Sequence, residues 1–200
     1  QLLDSAEEYK ADDIERSIDL VAQSISILGK RGRKKELARS LSKLGEIYQY
    51  HKQLDLAIDN YEDALENNKT IATSLLLAKA YNLTSRYSET IDLLNPLLEI
   101  KSMPPHQSAV LYELLGDANK GEGKDLVAIE LYNRGLLIAD KNQLTPKMID
   151  LNSKIADTYS LGNQPMEAEA YYDNSLDLAT QSARKKIRAW GYHNITTYKL

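Results

Sequence analysis

Cysteine is absent from the 200-residue chain. That excludes disulfides, zinc–thiolate sites and thiol nucleophiles. Phenylalanine is also absent, against 13 tyrosines, so an aromatic core has to be built from rings whose hydroxyls need a partner at the edge of the packing. Apolar runs are only a few residues long, far short of the roughly 20 that a membrane-crossing helix requires. Neither sign of charge dominates: 25 Lys and Arg against 29 Asp and Glu give a formal net charge of −4. No globally basic surface is therefore available for nucleic acid or an anionic membrane. Two local basic clusters, KRGRKK at 30–35 and RKKIR at 184–188, lack the aromatic and amide interleaving of nucleic-acid sites and read as solvated connection charge. His51, His106 and His193 are scattered and fit neither a metal-ligand spacing nor a nucleophile arrangement. GDANKGEGK at 116–124 has the wrong spacing for a phosphate loop. The expectation is a chain with no catalytic residues, no metal and no cofactor.

What is present is repetition. The segment ELARSLSKLGEIYQYHKQLDLAIDNYEDAL at 36–65 carries Leu41, Leu44, Gly45 and Tyr48, then Ala57, Tyr61, Ala64 and Leu65. Later copies offer Leu77, Ala78 and Tyr81 before Thr90 and Leu94, then Leu115 and Gly116 before Ala128 and Tyr132. A further copy has Ile155, Ala156 and Tyr159 before Ala168 and Tyr172. The matching small residues Ala57, Thr90, Ala128 and Ala168 are 33, 38 and 40 apart. The extra length falls in the connections KSMPPHQ and DKNQLTPK, where proline and asparagine end one helix and start the next. Within each copy, small residues let two antiparallel helices approach and tyrosines such as Tyr61, Tyr132 and Tyr172 fill the space beside them. Pro96 falls inside a second helix, where the lost hydrogen bond and ring clash, worth about 3 kcal/mol, predict a kink or early break.

These residues closely resemble the tetratricopeptide repeat (TPR). The resemblance implies an all-α fold, a right-handed α-α superhelix of tandem helical hairpins, with repeats at about 36–70, 71–107, 108–147 and 148–186. Partial repeats are expected at 1–35, where DDIERSIDLVAQSISILGK fits a second helix, and at 187–200, so that the chain reads as a fragment of a larger protein. In such arrays the first helix of each hairpin lines a concave groove. The register then nominates Lys43, Glu46, Tyr50, Leu75, Lys79, Asn82, Glu113, Asp117, Lys120 and Asp157 as a surface for a peptide or protein segment, although any solvated helix face is similarly mixed. Ala72 and Leu75 lie off the packing stripe of an apolar helix. Glu46, Lys79, Asp117 and Asp157 share one register position, with Glu46 and Lys79 able to pair and the two aspartates forming an acidic stretch for a cationic ligand.

Family members that hold a terminal carboxylate use a lysine, arginine and asparagine clamp. The matching places here, including Ser42, Glu46, Leu75, Lys79, Glu113 and Asp117, do not supply it. Repeats near forty residues are similar to the sensory arrays ahead of membrane histidine kinases in Bacteroidetes, which would make this a periplasmic input region in signal transduction. Two alternatives stay open. One is a cytoplasmic regulator resembling the peptide-pheromone-sensing arrays of Gram-positive bacteria, and the other is a structural module that self-associates through unfinished repeat ends.

Overall fold

The computed structural model of the protein describes residues 2–197, with side chains through residue 185. No strand occurs among the described residues. Two compact units divide the chain, residues 1–101 and 102–200. Unit 1 holds α1 (Leu2–Tyr9), α2 (Ile14–Lys30), α3 (Lys34–Tyr50), α4 (Leu54–Asn67), α5 (Ile71–Leu83) and α6 (Tyr87–Leu94), then a short 3-10 helix at Asn95–Glu99. In unit 2 the helices are α7 (Pro105–Gly121), α8 (Asp125–Lys141), α9 (Thr145–Leu161) and α10 (Pro165–Thr197). Within each unit every helix packs on the next, and first helices also meet, α3 with α5 and α7 with α9.

Local chemistry sets the helix ends. Asp13 caps α2 by accepting from the Arg16 amide at 3.0 Å, and Thr70 caps α5 by accepting from the Thr73 amide at 3.1 Å. Pro105 and Pro146 sit in the first turns of α7 and α9, where a missing N–H costs nothing. Pro96 does what its ring demands: α6 stops at Leu94 and the chain continues as the 3-10 turn.

The turns inside the hairpins repeat as strictly as the helices. Lys52, Ser85, Gly123 and Asn163 all have positive φ, between 57° and 76°, and they recur at 33, 38 and 40 residues, the period of the small residues. Gly32 and Gln143 do the same between hairpins, at 63° and 55°. Glycine and asparagine take this conformation readily, whereas other side chains crowd the following carbonyl. Lys52→Gly, Ser85→Gly and Gln143→Gly are each expected to raise stability by about 0.5–1 kcal/mol, read as a higher urea midpoint at unchanged m-value. An unchanged midpoint would mean that the turns are not strained.

The hairpin cores follow one rule across five copies. The second helix of each hairpin, called the outer helix below, places a small residue (Ser17, Ala57, Thr90, Ala128, Ala168) twelve or so positions after a small residue on the first helix, Ala6, Gly45, Ala78, Gly116 or Ala156. Where the outer residue is Ser or Thr, its hydroxyl donates to the facing backbone carbonyl: Ser17 to Ala6 at 2.7 Å, Thr90 to Ala78 at 3.1 Å. One turn later come Val21, Tyr61, Leu94 and Tyr132, all fully buried. Tyr61 lies against Gly45 and Tyr132 against Gly116, so closely that a Cβ on either glycine would sit 2.6 or 2.4 Å from a ring carbon.

Two expectations fail here. Tyr172, read as a core ring, is 42% exposed, because Ala156 already carries the Cβ that would strike a ring in that seat. The break expected near 187 is not seen either: α10 runs unbroken from Pro165 to Thr197. The sequence around it, QSARKKIRAW, is composed of helix-compatible residues with no Pro, Gly or Asn to stop it, and the period alone had placed the boundary.

Candidate functional site

In unit 1 the three first helices α1, α3 and α5 enclose a hollow of about 680 Å³. Its apolar lining comes from Leu3, Ala38, Ala72 and Leu76. At the back, the hydroxyls of Ser42 and Thr73 bond at 3.0 Å and tie α3 to α5. Lys43, largely buried, reaches across to Glu7 of α1 and to Glu46 one turn on at 3.3 Å. Burial alone would lower the Lys43 pKa, but the Glu7 and Glu46 carboxylates overrule it and hold the amine above its ordinary value. Glu7 moves the opposite way, its carboxyl lowered by the hydrogen bond from Lys43. Glu36, also at the hollow, is engaged by Arg33. Lys35 and Arg39, one turn apart on α3, line the same hollow and are exposed. They form no ion pair among the described residues.

Of the sequence-nominated residues in unit 1, only Lys43 and Glu46 line this hollow. Tyr50 is exposed at the end of α3, its ring edge-on to His51 with the Lys10 ammonium 5.2 Å from its centroid. Lys79 points to solvent on α5, and the anticipated Glu46–Lys79 pair is replaced by Glu46–Lys43. Asn82 accepts from the Thr90 hydroxyl at 2.8 Å and serves the α5–α6 packing. Leu75 corrects the reading of it as a groove contact. It is only 7% exposed, because α5 packs on α3, α4 and α6 and has few free sides. Its neighbour Ala72, singled out for the same reason, does face the hollow.

Unit 2 overturns the acidic stretch. Asp117 takes the Lys154 ammonium on both oxygens, at 2.7 and 2.8 Å, and the Tyr132 hydroxyl at 2.8 Å. Glu113 is bound by Lys147 at 2.5 Å and by Lys154 at 3.5 Å. Asp157 accepts from the Tyr172 hydroxyl at 2.6 Å. Lys120 ends α7, where its charge suits the helix dipole. Glu113 and Asp117 thus stitch α7 to α9 and are neutralised from within, whereas Asp157 joins α9 to α10 through a neutral hydroxyl. Lys147 and Lys154 on the next first helix, at other register positions than the carboxylates they bind, carry this network.

Burial tends to lower the Lys154 pKa, yet Asp117 and Glu113 hold it above the ordinary 10.5. The stability it contributes is therefore complete below 10.5 and is lost as pH rises above that through the higher folded value. Lys154→Met is expected to cost about 1–3 kcal/mol at pH 7, with the gap to wild type closing only above pH 10.5 in urea titrations. Closure already at pH 9 would show that the ammonium is not held this way.

Among the described residues no helix is long and apolar enough to cross a membrane, and no group of three or more His, Cys, Asp or Glu is placed to hold a metal ion. Residues 1–95 match the family model described as soluble NSF attachment protein, SNAP. SH3 domain and tetratricopeptide repeat-containing protein 2 of Homo sapiens is 36% identical over 103 residues, which is 46% of this chain and 8% of that protein's length. Among solved structures, the nearly identical TPR-like repeats of a Podosopora anserina kinesin-light-chain-type protein align with a TM-score of 0.77 at 19% identity, over 92% of this chain and 95% of that one. MamA aligns with a TM-score of 0.68 at 19% identity, over 90% and 96%. Repeating hairpins, a recurring left-handed turn and these neighbours together establish that the chain has a tetratricopeptide-like repeat fold.

Proposed function

We propose that this chain is a peptide-binding scaffold whose unit 1 hollow, between α1, α3 and α5, accepts an extended protein segment carrying an acidic side chain. The observation that carries the reading is an imbalance of commitments. Glu7, Glu36 and Glu46 at the hollow are all in ion pairs, whereas Lys35 and Arg39 are not. Asp4 also lines the hollow and feels the charge of Arg39, yet an incoming carboxylate meets two cations outside any ion pair among the described residues, while Leu3, Ala72 and Leu76 offer an apolar seat beside them. This differs from capture of a terminal carboxylate, for which the clamp residues are missing. Placing the module in a signalling protein rests on the near-forty-residue repeat period in the sequence.

A 12-residue random peptide library displayed on phage and panned on the whole chain tests the proposal. Peptides rich in Asp and Glu beside an apolar residue are expected, and they should not be retained by a Lys35→Glu/Arg39→Glu variant. Selected peptides with no acidic bias, or retained equally by that variant, would reject it.

A further inference from the structure

We propose a second docking site in unit 2, on the outer-helix side, for a protein segment presenting a large apolar side chain flanked by lysine or arginine. The cleft lies between α8 and α10, which both pack on α9 and meet at one side of it, where the Tyr171 hydroxyl donates to the Asn133 side-chain oxygen at 3.5 Å. It measures about 550 Å³, within the roughly 300–1,000 Å³ of clefts that seat ligands. Its walls are second helices of hairpins, whereas the hollow of unit 1 is lined by first helices.

Three features say what fits. The floor is apolar and continuous with the core: Leu136 and Met148 line the cleft and pack against the buried cluster of Ala128, Leu151 and Ile155. Above them Leu137 stands at the wall, an aliphatic side chain that is 71% exposed. Second, Asp140 on α8 and Asp177 on α10 face the cleft from opposite walls, and neither is in an ion pair among the described residues. Lys185 lines the adjoining hollow further along α10. Third, Asn152 in the floor is only 4% exposed. Its amide nitrogen donates to the Met148 carbonyl at 2.7 Å, and its amide oxygen, which accepts no hydrogen bond among the described residues, is open to the cleft's solvent rather than sealed in the core. A seated side chain with N–H groups would supply a donor.

An apolar seat between two uncommitted carboxylates favours a partner whose anchor is Leu, Phe or Trp and whose flanks are cationic, because the flanking charges then find partners as the anchor leaves water. An acidic or purely polar segment would bring like charge to Asp140 and Asp177 and gain nothing from Leu137.

The same phage library separates this site from the first. Panning the whole chain should yield a second class of clones, with Lys or Arg around a large apolar residue. As synthetic peptides in fluorescence anisotropy, these should weaken by about tenfold or more with Asp140→Lys/Asp177→Lys and equally with Leu137→Glu, and should bind the Lys35→Glu/Arg39→Glu variant unchanged. Leu137 is so exposed that its variant keeps the fold, checked by an unaltered helical circular dichroism spectrum and melting temperature. The proposal is overturned if no basic-apolar class emerges, or if that class binds the unit 2 variants as well as it binds wild type. Loss of the acidic class alone would count against the unit 1 reading and leave this one standing.

Discussion

Gly116→Ala is expected to destabilise unit 2 by about 1–3 kcal/mol, a drop in melting temperature of about 2–10 °C. The added Cβ would lie 2.4 Å from Cε1 and 2.5 Å from Cδ1 of Tyr132, so the ring or the helix must move. The ring is poorly able to. It is fully buried, and its hydroxyl is fixed on Asp117, itself held by Lys154. Burial first, then Asp117, also raises the Tyr132 pKa well above the usual tyrosine range, so the hydroxyl stays a donor at any ordinary pH. Gly45→Ala makes the same clash with Tyr61 at 2.6 Å, but there the hydroxyl rests on the neutral Gln49 amide at 3.0 Å. The smaller loss should therefore fall on Gly45.

Removing the ring confirms the cause. Tyr132→Ala should cost about 3–5 kcal/mol, whereas Gly116→Ala/Tyr132→Leu should cost less than its single changes summed. The chain already contains that combination, with Ala78 on a first helix and Leu94 on its outer helix at the matching positions. Urea unfolding of wild type, Gly116→Ala, Tyr132→Leu and the double variant gives the answer. An additive double variant would mean that Gly116 is not there for the ring.

The repeat register was readable because its cause is local. A small residue facing a large one across a hairpin leaves a mark at fixed spacing, and Gly45 with Tyr61 or Gly116 with Tyr132 can be paired by counting. Pro96 was readable for the same reason, since its effect acts within one helical turn. Tyr172 was misread because its spacing is right while its opposite number is Ala156, and one methyl group decides the seat. The binding surface was harder still. Lys43 and Glu46 were found by register, but Leu3 and Glu7 belong to α1, eight residues that precede the first recognisable repeat. Asp117 and Glu113 looked free in the sequence because their partners, Lys154 and Lys147, come from another repeat and another register position. Which charges are already spent is a tertiary property, and it is what separates a binding surface from a solvated helix face.

That property drives the second large effect. Lys35→Glu/Arg39→Glu replaces two uncommitted cations with two anions beside Glu7, Glu36 and Glu46, so an acidic segment meets repulsion where it had attraction. Loss of two exposed, salt-sensitive contacts together with the new repulsion should weaken binding by about 10- to 100-fold. The wild-type affinity should itself fall between 50 mM and 500 mM salt, as the screening length drops below the separation of the groups. Lys79→Glu, on the exposed side of α5 outside the hollow, adds an equal charge per residue and should have little effect.

The most direct measurement is a fluorescence anisotropy titration of the strongest acidic peptide from the library against the whole chain, the Lys35→Glu/Arg39→Glu variant and Lys79→Glu at low salt. Binding lost in the double variant and retained in Lys79→Glu places the peptide in the hollow between α1, α3 and α5. Equal affinity for all three proteins would contradict that placement and move the binding face elsewhere on the array.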